Sequence, residues 1–521
     1  MNFERSSGLL LHITSLGGQH GIGSLGSEAY SFADFLSQTN TRYWQILPIH
    51  PVLRQFGYSP YASTSTYAGN PLFINPFALK DSYPYLPECT IERQGDDYVS
   101  CHDVEQDLEE YFTRAKTAFF ADAPETDMDA FRAFCKKHAS WLDDFVLFTA
   151  CARKFGTNNW SSWERGIAFR EKREIERYRS LLEDDIEYHS LLQFFFFEQW
   201  RKLKSYCNER NICLIGDVPI YVGYDSADVW ASPDVFMLDE SGSADPVAGV
   251  PPDYFSSTGQ RWGNPLYRWN EPDGSLSGRT LDWWIARLKH QLDLVDLIRI
   301  DHFRAFESYW AIPASEKTAV EGTWEKGPGR PFFDAVKDSL GEIPLIAEDL
   351  GIITEDVRKL RRELGLPGMK ILQFAFDFAN DNKYLPHSVE DPNCIMYTGT
   401  HDNDTVNGWF FNGGMTESEK QYVRYYLNLE SESHFHQRFI KAAMMTPARI
   451  CIVPVQDLLG YDSRYRMNTP GTMNRKNWTW RLNGLDPVWK EKHFWKDLNH
   501  IYNRNAVRKP ADKTDVDEGN R

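Results

Sequence analysis

Acidic and basic side chains collect at the ends of short apolar runs in this chain, and those ends are where chemistry could be done. The run Leu297-Ile-Arg-Ile-Asp301 is of strand type, so Arg299 and Asp301 point to one face. An arginine beside a carboxylate favours its ionised form, and an ionised, oriented carboxylate can act as a nucleophile or an electrostatic stabiliser. Taken alone, the pair reads first as a structural ion pair, and other stretches must decide. Other runs end in the same way, with Asp217, with Glu348 and Asp349, and with His401 and Asp402. Like charges repel, so several acids gathered at one place are better explained by function than by folding. Two carboxylates flanking a bond, one ionised and one keeping its proton, meet the requirement of glycoside chemistry.

Two other chemistries are weighed and set aside. The segment Thr400-His-Asp-Asn-Asp-Thr405 suggests a metal site, but a calcium loop needs glycine at its sixth position, where Asn407 stands. The glycines of Gly21-Ile-Gly-Ser-Leu-Gly26 match the dinucleotide fingerprint formally. They begin several residues after the first strand, and the second strand ends in Pro and His instead of an acid. No metal and no cofactor are expected.

Elements must bring the acids together. Eight strand-like runs are expected at 8–13, 42–50, 213–220, 297–303, 343–349, 369–376, 394–401 and 449–455. Helical spacing falls at 27–36, 104–122, 128–138, 141–155, 190–210 and 354–364. A capping box at Thr416-Glu-Ser-Glu419 precedes a further helix at 420–428. The phenylalanines at 194–197 read as core. Alternating strands and helices imply an α/β fold with a parallel sheet, and eight units imply a (β/α)8 TIM barrel. Such a barrel needs about 250 residues. The surplus is placed after strands two and three, at about 52–212 and 223–296, within one catalytic domain spanning 1–505. The charged segment 506–521 is expected to be a flexible tail.

Composition narrows the class. The 521 residues carry a net charge of −17 with no basic block, which argues against nucleic-acid or anionic-membrane partners. No apolar run reaches membrane-spanning length, and Met1-Asn-Phe-Glu-Arg5 lacks the start of a signal peptide. Eight scattered cysteines without C-x-x-C pairs fit a reducing, cytoplasmic setting. Most of the 17 Trp and 25 Tyr must be core, and an excess of them in loops would suit stacking on sugar rings.

Four long motifs carry a resemblance. They are Leu297-Ile-Arg-Ile-Asp-His-Phe-Arg304, Ile346-Ala-Glu-Asp-Leu-Gly351, Tyr397-Thr-Gly-Thr-His-Asp-Asn-Asp-Thr405 and the segment 248–265 from Ala-Gly-Val-Pro-Pro-Asp to Arg-Trp-Gly-Asn-Pro. In their order along the chain they resemble the amylomaltase family of 4-α-glucanotransferases (disproportionating enzymes), related to the α-amylases. The resemblance runs from the Ser-Gly-Leu-Leu-Leu-His start to Trp480. It implies retaining transfer of 1,4-α-glucan segments, with Asp301 as nucleophile, Glu348 as acid/base and Asp402 as the third carboxylate. It further implies that Arg299 keeps Asp301 ionised and that His401 and Asp217 hydrogen-bond the sugar. Tyr61, Asp253, Gln260, Trp262, Phe374 and Asn468 would line the glucan groove, with 248–265 as a loop covering it. The implied partners are maltooligosaccharides, starch- or glycogen-type α-glucans and glucose as acceptor. An α-glucan hydrolase shares these groups, and a non-catalytic glucan-binding protein is the alternative of another class.

Overall fold

Eight short strands form a single parallel sheet: β1 (Ser6–Leu10), β2 (Tyr43–Gln45), β3 (Cys213–Pro219), β4 (Leu297–Asp301), β5 (Leu345–Ala347), β6 (Gly368–Ile371), β7 (Cys394–Tyr397) and β8 (Ile450–Pro454). They are seen in a computed structural model that describes residues 3–93, 95, 97–252, 256–378 and 382–506. The hydrogen-bonded order, β6-β7-β8-β1-β2-β3-β4-β5, is the chain order wrapped round. Across the remaining seam the Ala347 N–H donates to the Pro367 carbonyl at 3.0 Å, so the sheet curls into a (β/α)8 barrel. Every expected strand is present, but most stop two to five residues early. The polar residues that follow leave the ladder and build the loops at the strands' carboxyl ends.

Period-two alternation explains the interior. Ile215, Leu297, Ile346, Met369, Ile371, Ile395, Tyr397, Ile450 and Ile452 form one buried cluster inside the barrel. Each such aliphatic is worth roughly 1.5–3 kcal/mol of burial. Asp217 follows Ile215 by two residues, and Arg299 and Asp301 follow Leu297 by two and four. An apolar floor therefore carries a charged layer above it.

The outer ring includes helices Ser27–Gln38, Gly278–Leu294, Gly329–Leu340, Glu355–Glu363 and Phe435–Met445. Thr354 and Thr416 act as the expected N-caps, the latter in a full capping box. The 27-residue helix Glu183–Glu209 belongs to this ring as well. Its Trp200 indole donates to the Leu294 carbonyl at 2.9 Å, and its Tyr206 hydroxyl to Asp34 at 2.8 Å. Of its phenylalanines, Phe194, Phe195 and Phe196 are buried. The two helices expected at 128–138 and 141–155 are one, Glu125–Phe155, because no glycine or proline interrupts His138-Ala-Ser-Trp141.

Two expectations need correcting. The segment 248–265 is not simply a loop: Val247–Val250 and Gln260–Pro265 pair antiparallel. With Ser308–Ile312 and Thr323–Lys326, which lie beyond β4, they make a second, four-stranded sheet. Extra chain is thus inserted after β4 as well as after β2 and β3. The glycines of 21–26 serve close packing: a Cβ on Gly23 would stand 2.0 Å from the Ile13 carbonyl oxygen, and one on Gly26 2.1 Å from Asn75 Nδ2. The segment 507–521 lies outside the described residues.

Candidate active site

Register brings the first charged pair together. Asp217 on β3 lies directly opposite Arg299 on β4. Arg299 Nη1 sits 2.7 Å from both Asp217 oxygens, and Nη2 sits 2.9 Å from Asp301 Oδ1. Burial alone lowers the pKa of the guanidinium. Asp217 and Asp301 more than reverse this and leave it well above its ordinary value. The resemblance put Asp217 on sugar hydroxyls. Its side chain is fully enclosed, and its oxygens are taken by Arg299 and by the Tyr61 hydroxyl, which donates to Oδ2 at 2.8 Å. In this arrangement Asp217 meets Arg299 and Tyr61.

The strand register continues past the ladder to Glu348. Ile300 pairs with Ala347, and the Glu348 N–H donates to the Ile300 carbonyl at 3.1 Å. The Glu348 carboxylate accepts the N–H groups of His302 and Leu350, each at 2.8 Å. His302 adopts a left-handed backbone, φ 54°, which aims its N–H at that carboxylate. Desolvation, then the charge of Asp301, pushes the Glu348 carboxyl up to about 7 against the opposing pull of Arg299 and the two N–H groups. Asp301, next door and about one-third exposed, reaches the open cleft. One carboxylate is ion-paired and the other is ready to hold a proton, as a general acid must be.

The third carboxylate follows β7. Asp402 Oδ1 accepts from Asn468 Nδ2 at 2.7 Å and lies 3.5 Å from His401 Nε2. His401 stacks on Tyr61 with ring centroids 5.2 Å apart, and its Nε2 lies 2.9 Å from the Tyr61 oxygen. Because the Tyr61 proton points to Asp217, His401 donates through Nε2, and its buried Nδ1 has no protein partner. Arg466 fixes the backbone here, donating to the carbonyls of Asp402 and Asn468 at 2.5 Å each. Asp457, pushed up to about 7 mainly by burial, accepts from Thr398 and from the Val406 N–H, which pins the far end of the same loop.

The groove residues are more scattered. Trp262 meets the His302 ring edge-on at 4.9 Å and donates to Gln260 Oε1 at 3.2 Å, so both reach the site through His302. Phe374, in the turn after β6, packs against the barrel interior and Tyr384. Asp253 lies outside the described residues. Sequence reasoning missed the His302 N–H, Arg466 and Trp478, whose ring lies 5.6 Å from Tyr61 and 5.9 Å from His401. Arg466 was within reach, since it stands two residues before Asn468. Trp478 had no local signal. Among the described residues no three His, Cys, Asp or Glu side chains converge as a metal-ligand set.

The chain is similar to known proteins over most of its length. A glycoside hydrolase family model described as 4-alpha-glucanotransferase matches residues 11–486. A 4-alpha-glucanotransferase of Clostridium butyricum is 42% identical over 495 residues, covering 94% of this chain and 98% of its own. One from Thermus thermophilus is 43% identical over 490 residues, covering 92% and 95%. Among solved structures, an amylomaltase from Streptococcus agalactiae in complex with acarbose superposes with a TM-score of 0.90 at 37% identity, over 96% of this chain and all of that one.

Proposed function

The chain belongs to the 4-alpha-glucanotransferase family of glycoside hydrolases, and from that premise we infer how its residues divide the work. It is a retaining 4-α-glucanotransferase that moves 1,4-α-glucan segments from a donor glucan to the 4-hydroxyl of an acceptor. Its substrates are maltooligosaccharides and starch- or glycogen-type glucans, with glucose among the acceptors. In our reading Asp301 attacks the anomeric carbon while Glu348 gives its proton to the glycosidic oxygen. The C–O bond breaks, the shortened glucan leaves, and a glucosyl ester forms on Asp301. Glu348, now ionised, takes the proton of the incoming 4-hydroxyl, whose oxygen displaces Asp301 with a second inversion. Asp402, His401 and Asn468 hold the sugar at the cleavage point, and Tyr61, Gln260, Trp262 and Phe374 line the groove, with Asp253 assigned to it by resemblance.

The observation that carries this reading is the unequal pair: Asp301 ion-paired to Arg299 at 2.9 Å beside a desolvated Glu348 near 7. Incubation with maltotriose tests it. Glucose together with longer oligosaccharides, at constant reducing-end count, is the expected product pattern. Net reducing-end release in step with turnover would make the protein a hydrolase. No helix among the described residues is long and apolar enough to cross a membrane. We place the enzyme in the cytoplasm, a reading supported by eight cysteines that all stand as thiols.

A further inference from the structure

Of the 17 tryptophans, Trp262 (39%) and Trp324 (43%) are the two exposed ones, and the others are buried or half-buried. Both stand on the same small sheet, on its two outer strands, Gln260–Pro265 and Thr323–Lys326. An indole held rigidly and open to water offers its flat face to a ligand ring.

Trp324 is held on two sides. The Arg304 guanidinium carbon lies 4.1 Å from its ring centroid, and Trp310, its register partner, meets it at 5.3 Å and 61°. Arg304 stands three residues beyond Asp301, in the turn Phe303–Phe306. Its Nη1 donates at 2.5 Å to the carbonyl of Ile352, four residues beyond Glu348. Ile352 is itself 55% exposed. One arginine thus ties the loops of both catalytic carboxylates to two open apolar side chains.

We propose that Trp324 and Ile352 form an outer acceptor-side contact for 1,4-α-glucan, beyond the cleft and resting on the functional reading above. Glu348 serves the oxygen that leaves and the hydroxyl that enters, so its loop borders the side where leaving and accepting chains lie. The indole offers a flat face for a glucose ring, and the Arg304 charge behind it keeps that face fixed. A long acceptor reaches this contact and free glucose does not.

The test compares acceptors with one donor. In Trp324→Ala the KM for maltohexaose as acceptor should rise about fivefold or more while that for glucose stays unchanged, a loss of binding and not of chemistry. Trp324→Phe should retain most of the affinity, and Ile352→Ser should shift the same constant in the same direction. A change that strikes glucose equally, or an unchanged maltohexaose KM in both Trp324→Ala and Ile352→Ser, overturns the proposal. Should Trp324→Ala fold poorly, an unchanged maltohexaose KM in Ile352→Ser overturns the proposal by itself. Transfer to glucose by the wild-type enzyme reports on the functional reading separately.

Discussion

Arg299 and Asp217 are register partners on neighbouring strands, and a single guanidinium nitrogen lies 2.7 Å from both oxygens of the carboxylate. The pair is enclosed, so removing Asp217 leaves the buried Arg299 with Asp301 as its remaining ion-pair partner. Asp217→Ala is expected to cost about 3–5 kcal/mol, read as a lowered unfolding midpoint. Asp217→Asn keeps the volume, and it should lower kcat more than tenfold, on the scale of about 1.4 kcal/mol per decade. Its KM should change little, because the enclosed side chain meets Arg299 and Tyr61. An undiminished kcat in Asp217→Asn would mean that Arg299 is oriented without it.

Asp301→Asn should fold as the wild type and lose nearly all transfer, at least about a thousandfold, because an amide does not form the glycosyl ester. The same substitution removes the charge that helps raise Glu348. The Glu348 carboxyl should therefore titrate below about 7 in Asp301→Asn, as followed by carbon NMR of labelled glutamate. A Glu348 titration that stays put would separate the two carboxylates electrostatically.

Glu348 also sets a pH dependence of stability with a definite sign. Folded, it releases its proton near 7, and unfolded near 4.5. Between these values unfolding releases a proton, so stability contributed by this group falls as pH rises through the window and is level above it. Glu348→Gln escapes that loss, and its melting temperature relative to wild type should climb from pH 4.5 to pH 7. Asp457, also near 7, is common to both proteins and cancels in the difference. The basic limb of kcat/KM in the wild type should fall near the same value, since the general acid is lost there. Donors with activated leaving groups should still label Asp301 in Glu348→Gln.

Trp262 closes on the His302 ring beside Glu348, where it can exclude water from the glucosyl ester. In Trp262→Ala the ratio of reducing-end release to disproportionation should rise even as turnover falls. A proportional fall of both would limit the indole to substrate binding.

The barrel and its charged layer were legible because local pattern specifies them: short apolar runs, caps such as Thr354 and Thr416, and acids where the runs end. Asp301, Arg299, Asp217, Tyr61, His401, Asp402 and Asn468 stand in one chain of contacts, and Glu348 feels the charges of Asp301 and Arg299. What stayed hidden depends on long-range pairing. The small sheet joins residues 247–265 to 308–326, and in the first of these Gly249, Gly263 and Pro265 interrupt the alternation. The true partners of Asp217 were hidden too, since they are fixed by strand register and not by spacing along the chain.

The pairing of β1 with β8 sets a condition on synthesis. Ser6 is matched with Ile450, and Arg504 reaches back to the Ser6 carbonyl at 2.9 Å, 498 positions earlier in the chain. While the ribosome is still adding residues, the first strand has only β2 for a neighbour and keeps an open edge. The cylinder closes only when almost the whole polypeptide has emerged, and contacts of such separation form late and slowly. A nascent chain cut short before β8 would thus carry the complete set Asp301, Glu348 and Asp402 and still leave two unpaired strand edges, the surface that chaperones capture and that aggregates grow from.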